Sequence, residues 1–204
     1  MKLLRAYSAL LLCCTATAAC ASEPGQTEEG SLTKKKAAEN AESFQPDALS
    51  IALTDRINEY RVSHKLPRVA RSRSLGIVAD THVHDLAKTQ LGHANVCNLH
   101  SWSRNARWTE CCYTPDHANA SCMWKKPKEL VGFDGAGFEV AAWSSGNIDP
   151  ESAVKMWNES PGHKAVILNE GDWGRLEWKS VGAAIYQGYA VAWFAAEEDP
   201  SGGY

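Results

Sequence analysis

No uninterrupted apolar run in this 204-residue sequence approaches the length of about 20 residues that crosses a bilayer, so a multi-spanning membrane protein is excluded. An excess of one charge is also missing: 21 Lys and Arg stand against 24 Asp and Glu, a formal charge of -3, and the two signs are interspersed. No basic stripe of the kind that phosphate neutralisation needs is present, and nucleic acid is excluded as a partner. The seven cysteines form no Cys-x-x-Cys pair, which removes the commonest zinc and redox signatures. A Gly-x-Ser-x-Gly turn is absent too, so no strained elbow presents a nucleophilic serine. What is there, 44% hydrophobic and 22% charged residues, is an ordinary globular composition at a length that suits one domain.

The N-terminus differs from the rest. Lys2 and Arg5 precede an apolar run over residues 9–14 and a stretch of small residues, "TATAAC", that ends at Cys20. This is the pattern of a secretory signal over residues 1–19. Ala18 and Ala19 directly before Cys20 resemble a bacterial lipobox, with Thr17 where that pattern usually has Leu. The expectation is a mature chain that begins at a lipidated Cys20, an envelope lipoprotein of the periplasm or outer surface held to the membrane by its anchor. Release as a secreted protein is the alternative. Losing Cys13 and Cys14 with the signal and assigning Cys20 to lipid leaves Cys97, Cys111, Cys112 and Cys122. An even number of cysteines in an exported domain implies two disulfides. Adjacent Cys111 and Cys112 do not bridge each other without strain. Two pairings remain open: 97 with 111 and 112 with 122, or 97 with 112 and 111 with 122. A zinc site from these cysteines and His117 is the rival reading, and both the oxidising compartment and the spacing weigh against it.

Residues 20–45 are Glu, Lys, Ser, Thr, Gly and Ala with few apolar side chains, so they cannot offset their ordering entropy and read as a disordered tether. The folded domain is predicted over 46–204. Asp47 caps a first helix, to about His64, whose apolar residues Leu49, Leu53, Ile57 and Tyr60 recur at helical spacing. In a second helix the stripe is Leu75, Val78, Ala79, Val83 and Leu86. His82, His84 and Asp85 on it look like a metal cluster, but residues two apart point to different sides of a helix. They are read as partly buried or solvated side chains. Periodicity then fails for about 45 residues, from His93 to Gly137. All four cysteines lie there, and disulfides worth roughly 3 kcal/mol each can hold an irregular region without its own core. Trp102, Trp108 and Trp124 are expected to plug it onto the domain. Next, "GFEVAAW" alternates as a strand, with Phe138, Val140 and Ala142 on one face and Glu139, Ala141 and Trp143 on the other. Asp149, Pro150 and Glu151 open a third helix that carries Val154 and Trp157 inward. Finally "SVGAAIYQGYAVAWFAA" reads as two strands about a turn at Gln187 and Gly188. The fold class is α+β, a three-layer arrangement of helices on a mainly antiparallel sheet.

Four polar residues sit in apolar or tightly punctuated surroundings: His100 in "NLHSWS", Glu139 in the strand, Glu159 in "WNES" and His163 in "SPGHKAVIL". Two imidazoles and two carboxylates suit a divalent ion and suit general acid-base work equally. They also suit a buried hydrogen-bonded lock. With Ser160 as cap and Pro161 first, His163 lies in the first turn of a short helix, where the macrodipole disfavours its protonation. A neutral imidazole is expected there. The eight tryptophans are read as core and lid rather than as a carbohydrate platform.

These motifs resemble the CAP superfamily, the cysteine-rich secretory, antigen 5 and pathogenesis-related (SCP) domain, in its bacterial form. The matching pieces are "LTDRINEYRVSHKLPRV", "HSWS", "GFEVAAW" in place of the family's Gly-Glu-Asn strand, "WNESPGHKAVIL" and "SVGAAIYQGYAVAWFA", which together span about residues 47–196. The resemblance implies an α-β-α sandwich with a cleft lined by His100, Glu139, His163 and a second acid. That acid follows the helix tryptophan by three residues in the family, whereas Glu159 follows Trp157 by two, a difference of about 100° around a helix. Phe138 stands where Gly is usual and Val140 where Asn is usual.

Three functions are open at this stage. One is a binding or effector module that holds a small molecule, lipid, protein ligand or divalent ion in the cleft, zinc being the metal that His100 and His163 would suit. The resemblance implies no common reaction, but some relatives are described as proteases. A hydrolase would have His163, with or without zinc at His100, activate a water held by Glu139. The third is a structural envelope protein whose cleft residues only order the fold.

Overall fold

Asp47 opens helix α1 (Ala48–Ser63) by accepting from the backbone N–H of Ser50 at 2.7 Å. Residues 43–93 and 96–204 are those described in this computed structural model. The predicted signal, Cys20 and the tether up to residue 42 lie outside the described residues. Packing begins ahead of the predicted boundary at Pro46: the ring of Phe44 meets that of Tyr204 edge-on at 6.4 Å, above Gly76.

The buried face of α1 is not the apolar stripe as predicted. Leu49 is 48% exposed, while Ser50, Thr54, Asn58 and Arg61 are buried beside Leu53 and Ile57. Three of these four polar side chains have fixed partners. Thr54 Oγ1 donates to the carbonyl of Ser50 at 3.0 Å. Asn58 exchanges two hydrogen bonds with the backbone of Val69. Arg61 donates to the carbonyls of Pro67 and Ile167 and to Asn169 Oδ1. Satisfied in this way, they add directional ties that apolar side chains cannot make.

Strand β1 (Ala70–Arg71) leads to α2 (Arg73–Thr89), capped by Ser72, whose Oγ accepts from Leu75 N at 3.0 Å. Two short helices follow, α3 (Ala120–Trp124) and α4 (Lys126–Val131), then β2 (Phe138–Trp143). Asp149 and Ser152 form a capping box at the start of α5 (Pro150–Glu159), and α6 (Pro161–Leu168) follows at once. A 3-10 turn (Gly171–Arg175) precedes the hairpin of β3 (Ser180–Tyr186) and β4 (Tyr189–Ala195). Gln187 and Gly188 both have positive φ, 46° and 83°, as the primed turn of a two-residue hairpin requires.

The sheet order is β1-β3-β4-β2, antiparallel except for the β1–β3 pair, so β2 is an edge strand. Phe138, Val140 and Ala142 of β2 meet the apolar residues of α1, α5 and α6 on one face. Ala141 joins the residues of α2 on the other. The result is the α-β-α sandwich, in three layers. Helix α2 lies almost backbone to backbone on β3, because a Cβ at Gly182 would stand 2.2 Å from the amide nitrogen of Gly76.

The aperiodic segment is held as expected, and the pairing is now fixed: Cys97 with Cys112 and Cys111 with Cys122. A bridge between Trp102 and Cys111 adds a backbone pair. Trp102 and Trp108 are buried, but Trp124 keeps 36% of its surface exposed. Lys126 is buried below Trp102, its ammonium 5.4 Å from the ring centroid and bonded to Thr109 O and Glu129.

Candidate functional site

Where β2 starts, at the open edge of the sheet, its first two side chains meet the disulfide-held segment and the first turn of α6. They enclose a cavity of about 690 Å³. One wall is apolar: Met123, Trp124, Phe138, Val166 and Trp173. The other carries His100, Tyr113, His117, Glu139 and His163. Phe138 thus forms part of the apolar wall.

Glu139 points from β2 toward α2, and its side chain is fully buried. His82 Nδ1 lies 2.5 Å from Oε1, and His100 Nδ1 lies 3.0 Å from Oε2. Burial alone would raise the Glu139 pKa. The charge of His82 and the hydrogen bonds from both imidazoles outweigh it and hold the carboxyl below its usual range. His82 is itself fully buried, stacked on Trp102 at 4.2 Å, and its Nε2 donates to the carbonyl of Ser101 at 3.0 Å. With Nε2 turned to the Ser101 carbonyl, His82 meets the carboxyl through Nδ1 across one shared proton.

His100 is delivered by the disulfides. The neighbouring chain is closed by the Cys97–Cys112 bond, by Asn98 N to Tyr113 O at 2.9 Å, and by Tyr113 N to Ser101 Oγ at 2.9 Å. His100 Nδ1 faces Glu139, and the ring lines the cavity. His163 stands edge-on to His100, ring centroids 5.7 Å apart. Its pKa falls from the ordinary 6.5 to about 4, through burial first and then the neighbouring His100, against an opposite pull from Glu139. The neutral imidazole expected from the helix start is present, and burial is its principal cause. Ser160 holds the N-cap place, but its hydroxyl makes no capping hydrogen bond.

The structure therefore brings His100, Glu139 and His163 together and leaves Glu159 out. Glu159 is exposed at the last position of α5 and does not line the cavity. The two-residue offset from Trp157 turns it away, as helix rotation requires. His82 is the member that sequence reasoning missed. Spacing between His82 and His84 addresses only a shared ion, but His82 also lies four residues after Val78 and four before Leu86, on the apolar stripe. That register sends it inward to a partner across the sheet. His84 is exposed, stacked on Tyr186, and Asp85 accepts from Ser103 N and Oγ. His117 lines the cavity, its Nδ1 2.8 Å from Tyr113 Oη, and the cysteines of the rival zinc reading are all in disulfides.

A zinc centre draws on three or four protein donors. Among the described residues no group of three His, Cys, Asp or Glu is placed to hold a metal ion. Both oxygens of Glu139 are engaged by imidazoles, which leaves His100 Nε2 and His163 as donors. This set does not fit a zinc site.

A disulfide-braced α-β-α domain with a glutamate clamped behind a histidine-lined cleft is a recognisable class. Residues 54–190 match the CAP family, described as the cysteine-rich secretory protein family, and the chain belongs to it. No curated protein sequence matches it. Among solved structures it is similar to a cysteine-rich secretory protein of Staphylococcus aureus subsp. aureus Mu50, at 15% identity and a TM-score of 0.48 over 76% of this chain and 40% of that one. It is also similar to an extracellular SCP-domain protein of Bacillus anthracis str. Ames, at 18% identity and a TM-score of 0.47 over 86% of this chain and 45% of that one. An outer surface protein of Borrelia burgdorferi aligns at 16% identity and a TM-score of 0.45, over 70% of this chain and 88% of that one. The chain thus spans less than half the length of the first two.

Proposed function

We propose that the protein is an exported binding module that takes a neutral amphiphilic small molecule into the cavity beside His163. The carrying observation is the lining. Five apolar side chains face a cavity of about 690 Å³, within the range of small-molecule sites, and no Lys or Arg is among the described residues that line it. A carboxylate or phosphate head would meet Glu139 and Asp172 without a fixed cation. A hydroxyl, ester or amide would meet neutral imidazole instead. Export is supported by the signal-like N-terminus and by two disulfides, which persist in oxidising compartments. Cys20 is the proposed lipid anchor, read out by the mass of the mature N-terminal peptide: an unmodified chain starting elsewhere removes it.

Hydrolysis in the same cavity has less support. Glu139, the group that would hold a water, already accepts from two imidazoles.

Calorimetric titration of the delipidated protein tests the binding reading. Monolaurin is expected to bind, laurate to bind at least tenfold more weakly, and Trp173→Ala to weaken monolaurin at least tenfold. The reading fails if monolaurin gives no saturable heat, or if laurate binds as well.

A further inference from the structure

His163 is not the end of the cleft. Beyond it lies a second cavity of about 360 Å³, between the turn at Gly92 and His93 and the far end of β2, and Ser160 and His163 line both cavities. Leu99, Trp143, Met156 and Trp157 are among its walls. Trp143 and Met156 are large apolar side chains left 39% and 36% exposed. Trp157 differs. It is fully buried, and its indole N–H is a buried donor with no hydrogen-bond partner. Such groups are rare in folded proteins and call for an acceptor. Trp102 and Trp193 share that condition, but they pack on one another and on His82 and line neither cavity.

Charge narrows the occupant. Among the described residues no Lys or Arg lines either cavity, and the carboxylates that do are Glu139, clamped by His82 and His100, and Asp172. The junction of the two cavities offers hydrogen bonds from uncharged groups, Ser160 Oγ and the His163 imidazole.

We propose that the two cavities form one cleft for an uncharged molecule with two apolar arms joined by a hydrogen-bonding group, such as an ester or a secondary amide. One arm lies on Phe138 and Trp173, the other on Trp143 and Met156, and the linking group sits beside His163. This assignment rests on the reading of the large cavity as an amphiphile site.

Two isomers of identical composition test it: N-hexylhexanamide, with the amide central, and dodecanamide, with the amide terminal. In calorimetric titration of the delipidated protein, the central amide is expected to bind at least tenfold more tightly. Met156→Trp, at a half-open surface position, fills the small cavity and is expected to weaken the central amide at least tenfold and so abolish that difference. Equal affinities in the native protein, tighter binding of the terminal amide, or an unchanged preference in Met156→Trp overturns the two-armed cleft and leaves the single-cavity reading standing. Failure of both isomers to bind overturns the two together. Native near-ultraviolet circular dichroism of the variant establishes that it folds.

Discussion

Glu139→Ala is expected to lower the unfolding free energy by about 3–5 kcal/mol, the usual cost of removing one partner from a buried ionic pair. The carboxylate is fully buried and accepts from two imidazoles. Its removal leaves Nδ1 of His82, itself without solvent contact, with no partner. A void at the edge of β2 adds to the loss. Glu139→Gln keeps the volume and one acceptor, so it should fall between the native protein and alanine. Chemical denaturation with the disulfides intact reads these differences. A loss below about 1 kcal/mol for alanine would mean that the clamp is ornamental to the fold.

The second large effect is a dependence on acid. His163 has an ordinary pKa of 6.5 when unfolded and about 4 in the fold. Between those values the unfolded chain binds the proton and the folded protein does not, so stability falls as pH drops through 6.5 and the loss is complete near pH 4. At 1.36 kcal/mol for each pKa unit the loss reaches about 3 kcal/mol. Glu139 acts in the same direction at lower pH, because its depressed folded pKa is a stabilisation lost as its carboxylate protonates. His163→Gln isolates the imidazole. Its stability should be flatter than the native protein's between pH 6.5 and 4, and parallel profiles would contradict the half-buried neutral histidine.

Much of the fold was legible because its signals are local. Asp47 and Asp149 cap the helices that the sequence assigns to them, and the alternation of "FEVAAW" sends its side chains to the faces expected. The disulfide count was legible and the pairing was not, since both arrangements close loops of similar length. Leu49 misled because periodicity counts apolar residues, whereas the inner face of α1 is partly polar and bonded to backbone carbonyls.

The site divides in the same way. His163 follows from "SPGH", a local signal, and Glu139 from the strand alternation. The partners of Glu139 do not follow, because they come from α2 and from the disulfide segment, 57 and 39 residues away along the chain. A search for metal ligands on α2 asks whether two histidines face one ion. It does not ask whether one of them crosses the sheet to a carboxylate. Glu159 shows the converse: the right residue type beside the right motif, turned outward by one step of the helix.

The most direct test of the amphiphile site is a crystal structure of the protein grown with saturating monolaurin. The account predicts an acyl chain against Phe138 and Trp173, with the glyceryl oxygens within hydrogen-bond distance of His163. An empty cavity at saturation, or a chain bound only elsewhere on the surface, would contradict it.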